Sequence, residues 1–141
     1  MRNKICELPD GYVPSAEEEF MNDRQREYFR RKLVQWKEDL TRENEVVLQH
    51  LQEDGKTCTD TVDRATTEAD LAYEIRTKER ARKLISKIDE ALARIKNGSY
   101  GYCEETGEPI SLRRLEARPV AVLSIEAQER HEKQERIQKD D

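Results

Sequence analysis

Two long stretches of the chain repeat apolar residues at helical spacing, and neither contains Gly or Pro. In the first, from about residue 16 to 53, the apolar positions follow a heptad rhythm with one gap at Glu43: Phe29, Leu33, Trp36, Leu40, Val47 and Leu51. The second ends near Lys96 and carries Leu71, Ile75, Ala81, Leu84, Ile85, Ile88, Leu92 and Ile95. Heptad spacing is typical of helices that pair along a narrow apolar seam. The pattern therefore predicts two long helices.

The ends of both helices carry their own signals. Residues 1–15 contain Pro9, Gly11 and Pro14 and are predicted to be irregular. Ser15 with Glu18 has the spacing of a capping box, which predicts that the first helix begins there. Asn97 and Gly98 form the kind of dipeptide that ends a helix, so the second helix should stop at about residue 96.

The two patterns match each other in antiparallel register. Partners whose residue numbers add to the same total are Phe29 with Leu92, Leu33 with Ile88, Trp36 with Ile85, and Leu40 with Ala81. The gap at Glu43 then falls opposite Lys78, which pairs opposite charges. This register predicts a coiled-coil hairpin over residues 16–96, with its tip near 55–65. Two separate helices in a bundle are the alternative.

Residues 97–141 are predicted to form a small separate module followed by a C-terminal helix. Their apolar residues could form only a small core: Tyr100, Tyr102, Ile110, Leu112, Leu115, Val120, Val122, Leu123 and Ile125. Segments of this size usually need a metal, a disulfide or a partner surface. We expect the module to pack on the base of the hairpin. The fold class is therefore mainly α, with a small zinc-ribbon-like module beside the hairpin.

The module has the spacing of a zinc ribbon but lacks most of the ligands. A four-cysteine site needs two C-x-x-C knuckles about twenty residues apart. The corresponding positions hold Cys103, Thr106, Ser124 and Ala127, so three of the four thiolates are missing. Neutral hydroxyls are poor zinc ligands, and we expect no bound metal. An improvised set of Cys103, a glutamate and His131 is the alternative.

Cys103 itself admits two interpretations. Glu104 and Glu105 are expected to raise its pKa, which favours a partly buried structural cysteine over a redox sensor. The chain has three cysteines, an odd number at wide spacing, which argues against a disulfide framework.

Composition and charge exclude several functions. Of the 141 residues 40% are charged, and the net charge of −5 argues against a general DNA or RNA coat. We find no apolar run long enough for a membrane span and no signal peptide, so a cytoplasmic protein is expected. Charge is also uneven: residues 53–70 carry a net −4 and residues 76–87 a net +5. An acidic tip on a basic shaft suits insertion near a cationic site, although ordinary solvated helix surface is the simpler explanation.

The chain resembles the DksA/TraR family of bacterial transcription factors. The resemblance runs from "FMNDRQREYFRRKLVQW" through the tip motif at Asp60, Asp63 and Ala65 to "GYCEETGEPISLRRLEARP". It implies a factor that binds RNA polymerase and pushes its coiled-coil tip down the secondary channel towards the catalytic centre. Such a factor changes the lifetime of promoter open complexes together with the alarmone ppGpp, represses ribosomal RNA promoters and activates some biosynthetic promoters. It would act as a monomer without sequence-specific DNA contacts.

The resemblance also implies roles for particular residues. Asp60 and Asp63 would act near the polymerase active site, and Ala65 would allow close approach. A purely structural role is the alternative, in which Asp60 caps the second helix and Asp63 lies at its positive end.

Leu84, Lys87 and Arg118 match family positions that line a ppGpp site shared with the polymerase. Lys and Arg suit phosphates, although pairing of these bases with nearby glutamates is the alternative. Gln128 departs from the basic residue that the family often has, so a weaker response to ppGpp is expected.

Other functions remain open at this stage. A transcript-cleavage factor of the same shape would share the acidic tip, and a coiled-coil interaction scaffold would need no tip chemistry. His50 and His131 have no evident catalytic partners, so we expect no independent enzyme activity.

Overall fold

The computed structural model describes residues 7–54 and 61–140, with side chains for residues 7–46 and 64–139. In these two ranges four helices follow one another: α1 (Asp23–Asp54), α2 (Thr61–Asn97), α3 (Leu112–Ala117) and α4 (Ile125–Asp140). Within the described ranges the only strand-like pairing is an antiparallel bridge between Tyr102 and Pro109. The mainly α fold predicted from the sequence is confirmed. None of these helices is both long and apolar enough to cross a membrane.

The first helix begins later than the Ser15 signal predicted. Asn22 caps α1, because its side-chain oxygen accepts the backbone N–H of Gln25 at 2.9 Å. The fully buried Gln25 side chain accepts the N–H of Met21 at 2.8 Å and donates to the carbonyl of Ser15 at 3.2 Å. Met21 itself has φ of 52°, outside helical geometry. The predicted start at Ser15 is therefore wrong: the capping arrangement occurs seven residues later, on Asn22 and Gln25.

The end of α2 agrees with the prediction. Gly98 takes a φ of 86°, and the backbone N–H groups of Gly98, Ser99 and Tyr100 all approach the Arg94 carbonyl at 2.9–3.2 Å. A glycine with positive φ directly after the last turn satisfies carbonyls that the helix leaves unpaired.

The chain divides into two compact units. The terminal unit comprises Met1–Leu33 and Glu90–Asp141, and the middle unit comprises Val34–Asp89. In the terminal unit, apolar side chains from the start of α1, the end of α2 and the C-terminal segment share one core: Phe29, Leu33, Ala91, Ile95, Tyr100, Ile110, Leu115 and Ala127. The rings of Phe29 and Tyr100 lie 5.7 Å apart between centroids. The small module is thus supported by the base of the two long helices, as predicted.

Polar contacts hold α3 against α1 within the terminal unit. The Tyr28 hydroxyl donates to Oε1 of Glu116 at 2.6 Å. Lys32 donates to the same carboxylate at 2.8 Å and to the Glu116 backbone carbonyl at 2.9 Å. Burial and the Glu116 carboxylate together raise the pKa of Tyr28 to about 12. These contacts fix one edge of the module.

The middle unit contains the parts of α1 and α2 that lie between Val34 and Asp89. The two helices run side by side in antiparallel orientation there. Lys37 on α1 forms an ion pair with Asp89 on α2 at 2.6 Å. A groove of about 240 Å³ is lined from α1 by Thr41, Asn44 and Glu45, and from α2 by Lys78, Arg82 and Ile85. These neighbours agree with the predicted antiparallel pairing of the two helices. No ion pair joins Glu43 to Lys78 among the described side chains, however, and Glu43 is exposed.

Candidate functional site

The predicted tip is only partly described. Asp60 lies outside the described residues. Asp63 is the third residue of α2, and Ala65 is exposed on the same turn. A carboxylate in a first helical turn is favoured by the helix dipole, so the position of Asp63 fits the structural role as well as the functional one. The two roles remain compatible.

Four basic side chains form a continuous exposed stripe on one face of α2. They are Arg76, Arg80, Lys83 and Lys87, and we call this set the basic stripe. Their alternating spacings of four and three residues put them on the same helical face. Tyr73, three residues before Arg76, continues the stripe and is 67% exposed.

The basic stripe is not neutralised by the rest of the described chain. Its four bases form no ion pair with any described carboxylate, whereas neighbouring Arg82 pairs with Glu79 at 3.7 Å. Like charges three and four residues apart on a helix repel one another. The net charge of residues 76–87 predicts a basic shaft but not the common face of these bases. Their spacing of four, three and four residues is the signal that would have predicted it.

The candidate ppGpp residues fall in both units. Leu84 is half-buried and Lys87 exposed on α2 in the middle unit. Arg118 belongs to the terminal unit, where its backbone N–H caps α3 by donating to the Arg114 carbonyl at 2.7 Å and its side chain is exposed. Both bases lack an ion pair within the described structure, so the intramolecular pairing considered above is not seen for either. Gln128 donates to Glu132 at 3.3 Å.

The four zinc-ribbon positions lie on two turns that are joined by a backbone hydrogen bond. Glu104, next to Cys103, donates its backbone N–H to the carbonyl of Val122, two residues before Ser124, at 2.9 Å. The Ser124 side-chain oxygen accepts the N–H of Ala127 at 3.3 Å, at the start of α4. Cys103 is 3% exposed, Ser124 9% and Ala127 0%, whereas Thr106 is exposed. The structure therefore brings the two knuckles together.

The pKa of Cys103 differs from the sequence-based prediction. Burial raises it, but hydrogen bonds from the Thr106 side chain and from the backbone of Ser124, Thr106 and Glu105 outweigh burial and lower it to about 6. The expectation that Glu104 and Glu105 would raise this pKa is wrong, because the Thr106 side chain first, and then the backbone groups around the sulfur, lower it. The expectation that Cys103 is buried is confirmed.

The donor set does not fit zinc. Zinc sites use thiolate, imidazole or carboxylate ligands, and only Cys103 of the four positions supplies one. Among the side chains described, those of residues 7–46 and 64–139, no three His, Cys, Asp or Glu groups converge as a metal site would require. Nε2 of His131 instead lies 2.6 Å from Oε1 of Glu105. The improvised ligand set of Cys103, a glutamate and His131 is therefore not assembled.

Two family models match the chain in succession. The model described as DnaK suppressor protein DksA, N-terminal domain, matches residues 25–95. The model described as prokaryotic dksA/traR C4-type zinc finger matches residues 98–133. The boundary between them falls at the end of α2.

Similar proteins cover most of the chain. An RNA polymerase-binding transcription factor DksA from Caulobacter vibrioides is 60% identical over 130 residues, which are 92% of each chain. The protein of that name from Escherichia coli K12 is 40% identical over 83% of this chain and 78% of its own. Among solved structures, transcription factor DksA2 from Pseudomonas aeruginosa is similar with a TM-score of 0.78 and 43% identity, over 83% of this chain and 90% of that one.

Proposed function

The chain belongs to the DksA/TraR family, and from this membership we propose that it binds RNA polymerase and regulates transcription. The observation that carries the proposal is 60% identity over 92% of both chains to an RNA polymerase-binding factor. Two long antiparallel helices, α1 and α2, suit a probe that enters a channel. In this proposal the probe enters the polymerase secondary channel and changes the stability of promoter open complexes.

The basic stripe is the surface on α2 that we assign to polymerase contact. Its exposed bases lie on one face and lack intramolecular counterions within the described structure. Their mutual repulsion is relieved when an acidic surface covers them, and steering by opposite charge speeds association. The complementary partner is therefore an acidic face of the polymerase alongside the channel.

At the leading end, the proposal gives Asp60 and Asp63 roles beside the polymerase active site. Asp63 lies in the first turn of α2, close to the end of the probe. The exposed Ala65 leaves room for close approach by a partner. The same Asp63 carboxylate also suits the positive end of the α2 dipole. Its position therefore fits both a role at the polymerase and a role in helix stability, and an experiment has to separate the two.

We further propose ppGpp as a shared effector, held between the polymerase and Leu84, Lys87 and Arg118. The exposure of both bases supports this, because phosphate oxygens are favourable partners for unpaired Lys and Arg side chains. Gln128 supplies no positive charge, so the response to ppGpp should be weaker than with a basic residue there. Repression of ribosomal RNA promoters and activation of some biosynthetic promoters follow from the same mechanism. The factor acts as a cytoplasmic monomer without catalysis of its own.

The stripe is tested by comparing polymerase binding with folding. In Arg76→Glu/Arg80→Glu, the binding to purified RNA polymerase should weaken by at least tenfold, since about 1.4 kcal/mol suffices for a factor of ten. The melting temperature should not fall, because the variant removes repulsion between like charges. The matched control is Lys133→Glu/Arg136→Glu, which makes the same charge change on exposed positions of α4. Equal losses in both variants would reject the stripe as a specific contact.

The function is tested by transcription from a ribosomal RNA promoter with purified polymerase, with and without ppGpp. Shorter-lived open complexes and less transcript are the expected results. Cleavage of backtracked transcripts in the same mixture would favour a transcript-cleavage factor. No effect and no polymerase binding would favour an interaction scaffold, the remaining alternative.

A further inference from the structure

The C-terminal module matches a four-cysteine zinc finger over residues 98–133 but carries one cysteine at the four ligand positions. We infer that this module closes without zinc, because backbone hydrogen bonds and packing around Cys103, Thr106, Ser124 and Ala127 keep the backbone frame of the metal site. We call these four residues the closure cluster. Closure of the module without zinc does not depend on RNA polymerase binding.

Hydrogen bonds and packing at the closure cluster take over part of what a metal would do. The Thr106 side-chain oxygen accepts the N–H of Glu108 at 3.3 Å, which ties this exposed residue into the turn after Cys103. Cys103 is 3% exposed, and Ala127 fills the fourth position with a methyl group that is fully buried. Packing and hydrogen bonds thus stand where four metal bonds would be.

The backbone around the cluster is closed by the chain's own hydrogen bonds. Cys103 donates to the Glu108 carbonyl at 2.8 Å, and its own carbonyl accepts from Gly107 at 2.9 Å, so the first knuckle is a closed turn. Glu104 donates to the Val122 carbonyl at 2.9 Å, which joins this turn to the second knuckle. Ser124 then caps α4, because its side-chain oxygen and its carbonyl accept from Ala127 and Gln128. A structural zinc site of this class holds four thiolates around the ion. Here the backbone frame is closed with one thiol instead of four.

Packing supplies the support that a metal-dependent module would otherwise take from its ion. Tyr100, Ile110 and Leu115 are at most 2% exposed and share the terminal-unit core with Phe29 and Leu33 of α1. The Tyr100 hydroxyl donates to the Pro119 carbonyl at 2.7 Å. This core explains why the loss of three thiolates need not unfold the module.

The first test uses the full-length chain and measures metal content and thermal unfolding. After growth and dialysis with added zinc, elemental analysis should find well under one zinc per chain. Zinc bound only to the folded state would stabilise it, and its removal would lower the melting temperature. Because we expect no bound zinc, a strong chelator should change the melting temperature by less than about 1 °C. Stoichiometric zinc, or a large fall in melting temperature on chelation, would overturn the inference.

The second test restores the thiolates in the variant Thr106→Cys/Ser124→Cys/Ala127→Cys. If the frame is retained, this variant should bind one zinc per chain, and its melting temperature should become sensitive to the chelator. Cobalt added in place of zinc should give the absorption bands of a tetrahedral thiolate site. A variant that folds but does not bind metal would overturn the inference that the backbone frame of the metal site is retained. Should the variant fail to fold, the chelation result on the natural chain still decides whether the module closes without zinc.

Discussion

The hydroxyl of Tyr28 donates a 2.6 Å hydrogen bond to Oε1 of Glu116, a residue 88 positions later in the chain. Removing this hydroxyl in Tyr28→Phe leaves the carboxylate with Lys32 alone, so the free energy of unfolding should fall by about 1 kcal/mol. Urea unfolding followed by circular dichroism measures the change. Tyr73→Phe is the control, because the Tyr73 ring is 67% exposed and should tolerate the loss without effect. Equal effects of both changes would contradict the assignment.

Acid should destabilise the chain through Glu27. This carboxylate bonds to Arg30 at 2.7 Å and Arg31 at 2.9 Å, and its side chain is 6% exposed. The Arg30 hydrogen bond, followed by burial acting in the opposite direction and by Arg31, leaves the pKa of Glu27 below its ordinary value of 4.5.

At neutral pH Glu27 is ionised whether the chain is folded or unfolded, so its full stabilisation is present. Below pH 4.5 the unfolded chain takes up the proton first, and stability falls until the pH has passed the folded pKa. Glu27→Gln should therefore lose about 1–2 kcal/mol at pH 7 and show a weaker acid dependence. Unfolding titrations at several pH values measure this, with Glu38→Gln on the exposed face of α1 as control. An unchanged acid slope in Glu27→Gln would contradict the role.

Gly101 is required for both its conformation and its small size. Its φ is 89°, and a Cβ added there would lie 3.0 Å from Cγ of Met21. Gly98 has a similar φ of 86° but nothing within 4 Å of that position. Gly98→Ala should cost about 1 kcal/mol for the backbone alone, and Gly101→Ala about 1 kcal/mol more for the clash. Comparison of the two urea midpoints isolates the clash. In a Met21→Ala background, the difference in cost between Gly101→Ala and Gly98→Ala should become smaller. Equal costs of the two glycine substitutions in the natural chain would exclude a steric contribution at Gly101.

Asp63→Asn should separate regulation from folding. The change keeps the shape of the side chain and removes its charge, so repression of a ribosomal RNA promoter should be strongly reduced. The melting temperature should fall only slightly, since a charge in the first turn of a helix contributes about 0.3–1 kcal/mol. Parallel losses of repression and of stability would assign Asp63 to the structural role alone. Asp70→Asn, an exposed acid further along α2, is the control.

Cys103 should react slowly in the native chain although its pKa is lowered to about 6. A thiolate is the reactive form, but a side chain 3% exposed is reached only when the structure opens. Mass spectrometry after brief treatment with iodoacetamide distinguishes Cys103 from Cys6 and Cys58. Rapid and selective labelling of Cys103 in folded protein would support the redox-sensor interpretation instead.

Periodicity predicted the parts of the fold that depend on local spacing. The heptads predicted two long antiparallel helices, and Asn97 with Gly98 predicted where α2 ends. These features follow from residues close together in the sequence. The division into units remained hidden, because it depends on which apolar positions meet in the folded core.

Contacts between distant residues account for the errors. Ser15 and Glu18 carry a helix-start signal, yet the buried Gln25 amide binds the Ser15 carbonyl and keeps that segment out of α1. Likewise the Cys103 pKa is lowered partly by the Ser124 backbone, 21 residues away. The backbone hydrogen bonds that close the chain around the zinc-ribbon positions could not be read from residue types.

The terminal unit is assembled from both ends of the chain, and this has a consequence for its synthesis. Lys32 and Glu116 are separated by 84 residues, and Phe29 and Leu33 are buried in a core that also contains Ile110 and Leu115. At translation rates of about 5–20 residues per second, the early half of this core waits on the order of ten seconds for the late half. During that interval Phe29 and Leu33 lack the residues that bury them in the folded unit, so the unit cannot close until nearly the whole of this sequence has been synthesised.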